Sequence, residues 1–424
     1  MSKASGASTG LRPAPAWRPG PQATGVVLGL SIAFYLWRNV VVALPYLRHG
    51  ASDFTNYYLA ARALLAGRSP FSAPNFDYPA LLAFLVAPIA WLPESAARLT
   101  WFGVGHFCLI AAGVLLWRRL GSDRVAAIAV GTVWALGGTV AENLVLGQVN
   151  PLLLLALVGS WAVAWQARSR GAALIGVATA IKIWPAVLVV GDALARRWRE
   201  VAVSVAVAAM LLGVPWAFVA LRLPEPHAPP RAGFWIGTPS LVNCSVPAVV
   251  LRLLEPPVDR EPLPPNWVVG SDPGRLSLPA LHGVISVGAA AVVLAGGLWA
   301  LARNARARTL REEDQTLLAA ALVALALAAA PVAWYHYQLL NFPGITVLAA
   351  RRLRARRIAA MALLGGVVLL ATWPHALLMD PYVTRYGWTA ANPVLLWLTT
   401  CVVPVADVAL FAIFLGELGA APTK

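Results

Sequence analysis

The chain has 424 residues, 59% of them hydrophobic and only 12% charged, with a mean hydropathy of +0.70. Soluble domains average about 25% charged and about 45–50% apolar residues, so a water-soluble enzyme is excluded. A net charge of +15 would point to nucleic acid in a soluble protein, but here the basic residues fall in short clusters between apolar runs of helix length. That is the pattern of cytoplasmic loops in membrane proteins, and no nucleic-acid partner is expected.

The N-terminal stretch, with Lys3, Arg12, Arg18 and several prolines, reads as a disordered cytoplasmic tail over residues 1–23. The apolar run after it lacks an A-x-A exit and is long enough to stay in the membrane, so it is not a cleaved signal. Apolar stretches follow at 24–44, 80–93, 100–118, 123–141, 150–166, 172–191, 200–220, 279–301, 315–333, 336–350, 357–374 and 393–416. These twelve segments predict an all-α, polytopic transmembrane protein of about twelve helices. Several fall near or below the spanning minimum of about 17 residues, as expected of tilted or incomplete crossings around a cavity. The chain divides into a helical module over 24–220 with a first external loop at 45–79, a second external loop at 221–278, and C-terminal transmembrane helices over 279–424.

Arg196, Arg197 and Arg199, the cluster from Arg303 to Arg311, and that from Arg351 to Arg357 orient the chain, with these turns cytoplasmic and both long polar loops outside the cell membrane. Twelve full crossings leave Arg118, Arg119, Arg124, Arg168 and Arg170 on the outer side. Making 80–93 a surface or re-entrant piece and 172–191 a hairpin returns them to the inner side. No internal repeat is visible, which argues against a repeat-built transporter. Cys108, Cys244 and Cys401 form no CxxC pair, the six histidines are scattered, and the outer loops lack a paired Asp-x-Asp. Neither metal nor cofactor is expected.

A charge within an apolar segment costs at least about 2.5 kcal/mol on insertion and tends to mark function. Lys182, near the middle of 172–191, is the most telling case, with snorkelling of its stem as the alternative. Asp53 opens a stretch of helical periodicity over 54–66, where it or Ser52 can serve simply as N-cap. Asp77, ahead of Tyr78-Pro79, is a residue type common in turns. His336 lies at the outer end of its helix among Trp334, Tyr335 and Tyr337, where an aromatic belt is ordinary and a structural histidine is an equal reading. Arg38 and Asp407 stand at membrane depth with no role assignable.

The run Asp53-Phe54 with Tyr57-Tyr58, Ala60-Ala61, Leu64-Leu65, Gly67, Pro70-Phe71 and Tyr78-Pro79 resembles the opening signature of glycosyltransferase family 87. These are GT-C superfamily membrane enzymes that use polyprenyl-phosphate sugars. Gly147-Gln148-Val149-Asn150 resembles the family's GQxN element, and Gly176 with Ala180-Ile181-Lys182-Ile183-Trp184-Pro185 its AIKxxP element. Asn243-Cys244-Ser245 with Arg252 is similar to an Asn-Gln-Ser segment and its downstream arginine, with Cys244 in place of Gln. Pro331-Val332-Ala333-Trp334-Tyr335-His336 is similar to SPxSWxHH, with Ala330 and Ala333 for Ser and Tyr337 for the second His. The resemblance spans about residues 50–355.

The resemblance implies a GT-C fold with about seven helices before the second large loop. Counting every segment as a crossing gives that seven and favours twelve crossings, although only the re-entrant course puts Gln148 and Asn150 on the outer face. It also implies that Asp53 deprotonates the acceptor hydroxyl while the anomeric carbon inverts, with Asp77 as second candidate. Lys182, Arg252 and His336 would bind the donor phosphate. Tyr57, Tyr58, Asp77, Gln148, Asn150 and Asn243 would contact substrate, since amides offer both donors and acceptors to hydroxyls. Donors of this kind carry a single phosphate that Lys and Arg can neutralise, consistent with metal independence.

The expected activity is transfer of a sugar, mannose first and arabinofuranose second, from polyprenyl phosphate to a lipid or glycan acceptor outside the cytoplasmic membrane. A lipid or sugar-lipid flippase would spread polar residues along a path across the bilayer, whereas here they gather in the outer loops and adjacent helix ends. An inactive scaffold is suggested by Cys244, Ala333 and Tyr337 but opposed by the presence of Asp53 and Lys182. Asn243-Cys244-Ser245 also fits a glycosylation sequon, read here as a chance match.

Overall fold

The computed structural model describes residues 19–47, 53–74, 76–164, 167–223, 243–254, 280–306, 312–330, 333–373 and 393–419. Residues 1–18 of the expected tail, 48–52 and 75 of the first loop, 224–242 and 255–279 of the second, Pro331 and Val332 lie outside the described residues, as does the side chain of Arg252. Among the described residues the structure is helical, and the β-contact it contains is an isolated bridge between Asn243 and Trp334.

One end of the bundle is tied together by arginines. Arg354 pairs with Asp123 at 3.0 Å and donates to the Leu120 carbonyl at 2.7 Å. Arg351 meets Asp314 at 3.5 Å, Arg352 meets Glu417 at 3.2 Å, and Arg197 meets Asp192 at 3.6 Å. Arg124 donates to the Pro19 carbonyl at 3.2 Å. Three tight turns there place a non-glycine residue in the left-handed region, Ser122, Arg196 and Arg356, as is usual just past a helix C-terminus. The opposite end is fixed by different contacts: Arg98 donates to the Leu47 carbonyl and to Thr55, each at 3.0 Å, and the Phe54 amide donates to Leu146 at 3.1 Å.

These two faces let the chain be followed. Helix α1 (Pro21–Leu36, prolonged by a π turn at Trp37–Val42 and by Ala43–Tyr46) leaves the arginine face. Helices α2 (Asp53–Leu65) and α3 (Ala80–Val86) remain at the other end. The seven residues of α3 rise only about 10 Å, against a hydrocarbon thickness of about 30 Å. Helix α4 (Glu94–Arg119) returns to the arginines. Helices α5 (Arg124–Leu136) and α6 (Thr139–Val145), bent by 60°, rise together, and α7 (Asn150–Ala164) descends. Helix α8 (Arg168–Ile181) rises to Lys182. There the backbone becomes extended, a 3-10 turn (Trp184–Ala186) follows at Pro185, and α9 (Val187–Leu194) descends. Helix α10 (Trp198–Arg222) rises again, and Phe218 near its end meets Phe84 of α3.

Of the two courses the sequence left open for 80–195, the chain takes the one with a re-entrant 80–93 and a hairpin at Lys182. Seven helical runs between the two ends still precede the second loop, α1, α4, α5 with α6, α7, α8, α9 and α10, although α9, at eight residues, is as short of a full crossing as α3. The crossing assigned to 80–93 is thereby replaced by a second one within 172–191, because Pro88 and Pro93 cut the first run short and Lys182 with Pro185 divides the other. Arg118, Arg119, Arg124, Arg168 and Arg170 accordingly join Arg196, Arg197 and the cluster from Arg351 to Arg357 at one face, while Arg308 and Arg311 lie outside the described residues.

After the short α11 (Val246–Leu254), five more passes follow: α12 (Ala280–Arg306), α13 (Glu312–Ala329), α14 (Phe342–Arg354, entered through a 3-10 segment, Tyr335–Asn341), α15 (Ile358–Thr372) and α16 (Pro393–Gly419). Five helices are long and apolar enough to cross a membrane alone, and the α5–α6 pair makes a sixth. Large apolar side chains such as Leu30, Phe107, Val292 and Ile358 point outward from these helices, where a soluble protein would expose charge. The chain is a multi-pass membrane protein. Its shorter helices surround a polar cluster at the end opposite the arginines.

Candidate active site

The cluster begins with the way α2 starts. Gly147 has φ +65°, and a Cβ there would lie 2.5 Å from that of Phe54, so only glycine lets the turn after α6 press against the first residues of α2. Trp101 Nε1 donates to the Gly147 carbonyl at 2.8 Å, and the Phe54 amide takes the Leu146 carbonyl. This clamp brings Gln148 to Asp53, whose carboxylate accepts a hydrogen bond from Gln148 Nε2. Burial pushes the Asp53 carboxyl above its ordinary value, while the Lys182 charge and the Gln148 amide act in the opposite direction.

Lys182 reaches the same place from the break between α8 and α9. Its ammonium is enclosed and has no hydrogen-bond partner among the described residues. It sits 4.0 Å from the centre of the Tyr337 ring and 5.3 Å from that of Tyr78. Aromatic faces stabilise a desolvated cation but leave its three N–H donors unused. Tyr57 is fully buried edge-on to Tyr78 at 4.8 Å, and its hydroxyl is also without a partner. A buried carboxylate, a buried ammonium, a phenol and the Gln148 carbonyl oxygen thus share one enclosure with hydrogen-bonding capacity to spare. In native proteins such unmet capacity asks for a ligand or water.

The other expected site residues are placed as follows. Tyr58, one position along the helix from Tyr57, faces away and donates its hydroxyl to the Leu92 carbonyl at 3.0 Å. Asp77 is exposed at the surface beside Tyr78. Asn150 donates to Asn143 at 2.9 Å and to the His336 carbonyl at 3.4 Å. Asn243 accepts from the Ala333 amide at 2.9 Å, and the adjacent Cys244 amide donates to the Ala333 carbonyl at 2.7 Å. Both asparagines thus fix the backbone on either side of Trp334. His336 is buried, with Nδ1 3.8 Å from Glu142 Oε1 and its ring edge-on to Tyr337 at 4.9 Å. Arg252 belongs to α11.

Two participants were missed in the sequence. Glu142 and Asn143, adjacent on α6, both approach His336: Asn143 Nδ2 donates to its carbonyl at 2.8 Å. A charge within an apolar segment, the signal that singled out Lys182, was also present at Glu142. Arg38, unassigned above, donates to the Gly138 carbonyl at 2.7 Å and lies 4.5 Å over the Trp373 ring. Asp407 is buried in α16, accepting from Gln338 at 2.7 Å and Asn341 at 3.1 Å. Among the described residues, no group of three or more His, Cys, Asp or Glu side chains gathers in a way that could hold a metal.

Residues 76–331 match the family model described as Glycosyltransferase family 87. The chain is 26% identical over 428 residues to the polyprenol-phosphate-mannose-dependent alpha-(1-2)-phosphatidylinositol mannoside mannosyltransferase of Mycobacterium tuberculosis, covering 91% of this chain and 90% of that protein. The protein of the same description from Mycolicibacterium smegmatis is 25% identical over 411 residues, 88% of this chain and 84% of the other. GPI mannosyltransferase 1 of Aspergillus fumigatus is 30% identical over 173 residues, 38% of this chain and 40% of that one. The family match includes Gln148 and Lys182, whereas Asp53 and His336 fall outside its limits.

Proposed function

The chain belongs to glycosyltransferase family 87, and from that premise we propose that this membrane glycosyltransferase moves mannose from polyprenyl-phosphate mannose to a hydroxyl of a lipid-linked glycan, with inversion. The observation that carries the reading is the convergence of Asp53, Gln148 and Lys182 in one enclosure. Asp53 takes the proton of the acceptor hydroxyl as its oxygen bonds to the anomeric carbon. The bond from that carbon to the phosphate oxygen breaks, and the electron pair leaves with polyprenyl phosphate. Lys182 meets the charge gained by that phosphate, where preorganised charge in a dry site is most effective. Gln148 holds the Asp53 carboxylate in one orientation and keeps its carbonyl oxygen for a sugar hydroxyl.

Mannose is preferred over arabinofuranose because the relatives that align over most of this chain are described as mannosyltransferases dependent on polyprenol-phosphate-mannose. Their described acceptor, phosphatidylinositol mannoside, supports a glycolipid acceptor here. The arginine clusters at the opposite end favour a site facing away from the cytoplasm, by the bias of basic residues toward cytoplasmic loops. The test is to incubate membranes containing the protein with labelled polyprenyl-phosphate mannose, glucose and arabinofuranose and to extract the lipids. Label from mannose alone is expected in the glycolipid fraction. Transfer of arabinofuranose in its place, or of no sugar, would contradict the proposal.

A further inference from the structure

Glu142 gives the cluster a second carboxylate that transfer by Asp53 and Lys182 does not use. Its Oε1 is 3.8 Å from His336 Nδ1, an ion-pair separation, and Asp53 and Arg38 are within electrostatic reach. The helix that carries it also holds His336 by the backbone, through Asn143 at 2.8 Å, while Asn150 adds a longer contact at 3.4 Å. The start of α6 is itself fixed. Arg38 donates to the carbonyls of Gly137 and Gly138 at 3.4 and 2.7 Å, and a Cβ on Gly138 would collide with the Thr372 carbonyl. On its far side His336 contacts Tyr337, the ring that carries Lys182. A continuous line therefore runs from Glu142 through His336 and Tyr337 to the ammonium.

We propose that Glu142 is a positioning residue that acts through His336, engaging Nδ1 so that Nε2 is presented as a proton-bearing donor to the leaving phosphate beside Lys182. This rests on the reading of the site as a polyprenyl-phosphate transferase. A carboxylate at one ring nitrogen fixes which nitrogen is used and favours the protonated ring. The other charged or titratable groups around His336 are Tyr337 against its ring, Lys182 on the other side of Tyr337, Asp53 within electrostatic reach of Glu142, Tyr335 on its own segment, and Asp407 of α16, which bonds that segment at Gln338 and Asn341. Helices α7 and α15 carry none, and Asp314 of α13 with Arg351, Arg352 and Arg354 of α14 lie at the arginine face.

The test compares Glu142→Gln, Glu142→Asp, His336→Ala and the Glu142→Gln/His336→Ala double variant of the full-length protein, with mannosyl transfer followed across pH. Glu142→Gln is expected to lower kcat by about 10–100-fold, as for loss of an orienting partner, with donor KM changed by less than about threefold. Its alkaline limb should move to lower pH, because the ring loses the carboxylate that favours its proton, and Glu142→Asp should restore the limb in part. The double variant should be no worse than His336→Ala alone, as residues acting in one unit are not additive. An alkaline limb left in place by Glu142→Gln, or losses that multiply in the double variant, would overturn the proposal. If wild-type protein transfers no sugar, the functional reading fails, and the pairing is then decided by ¹⁵N NMR titration of His336: a midpoint lowered by Glu142→Gln supports it and an unchanged one refutes it.

Discussion

Asp53 and Asp407 are both carboxylates enclosed by apolar helices, and their neighbours differ in kind. Asp407 is fully buried in α16, and both its oxygens are met by amides, Gln338 and Asn341, which also bond to each other at 2.9 Å. Among the described residues no cation joins them. Asp53 has one amide partner, a buried ammonium close by, and around it a phenol and a carbonyl oxygen left unsatisfied. Hydrogen bonds that meet both carboxylate oxygens serve to pin segments together, here α16 to the 3-10 segment that carries His336, with Asn341 Oδ1 left over. An open set with two opposite charges keeps hydrogen-bonding capacity unused, which supports the proposal that a ligand binds there.

That contrast can be broken by substitution. Asp53→Asn should lower transfer by about 10³-fold, within the range expected for a positioned general base, while protein in the membrane stays near the wild-type amount by immunoblot. Lys182→Met keeps the length of the side chain and should lower kcat/KM by about 10²-fold, as for loss of a group that stabilises developing charge. Little change in initial rates with either variant would equate Asp53 with Asp407 and remove the distinction.

The pH dependence sharpens it. Asp53 must be ionised to accept a proton, and burial raises its pKa, so transfer should fall on acidification with a midpoint above the free carboxylate value of about 3.9. Gln148→Leu removes a bond to the ionised form, so the acidic limb of the rate profile should move to still higher pH. The smallest effect on transfer is expected at Asp407. Asp407→Asn keeps the side-chain shape and an acceptor oxygen and should change the rate by less than about threefold, as for a conservative change at a group that touches no reacting atom. Asp407→Ala strands two buried amides at about 1–3 kcal/mol each, which should appear as a lower melting temperature in detergent.

The sequence carried these two regions unequally. Asp53 and Lys182 were legible, one through an ordered motif and the other as a charge in an apolar run. Their meeting with Gln148 was not, since 95 positions separate Asp53 from Gln148 and only the clamp at Gly147 closes that distance. Asn150 and Asn243 have the chemistry of sugar ligands, yet in the folded chain Asn150 Nδ2 and Asn243 Oδ1 bond protein groups, and Asn150 Oδ1 is left without a partner among the described residues. Residue type alone does not tell whether an amide is spent internally. The fold was read as helical and polytopic from hydropathy, while the path through 80–195 turned on proline positions and on Lys182 dividing a run that hydropathy counts as one. Glu142 and Asp407 show that intramembrane charge is a broad signal, which partners alone sort into machinery and fastening.

The most direct measurement is a cryo-EM structure of the full-length protein with polyprenyl phosphate bound. A phosphate oxygen is expected at about 2.8 Å from Lys182 Nζ, the spacing of a charge-assisted hydrogen bond, with the Asp53 carboxylate open to the acceptor side of the same enclosure. A phosphate seated among the arginines at the opposite face, with Lys182 still covered by Tyr337 and Tyr78, would contradict it.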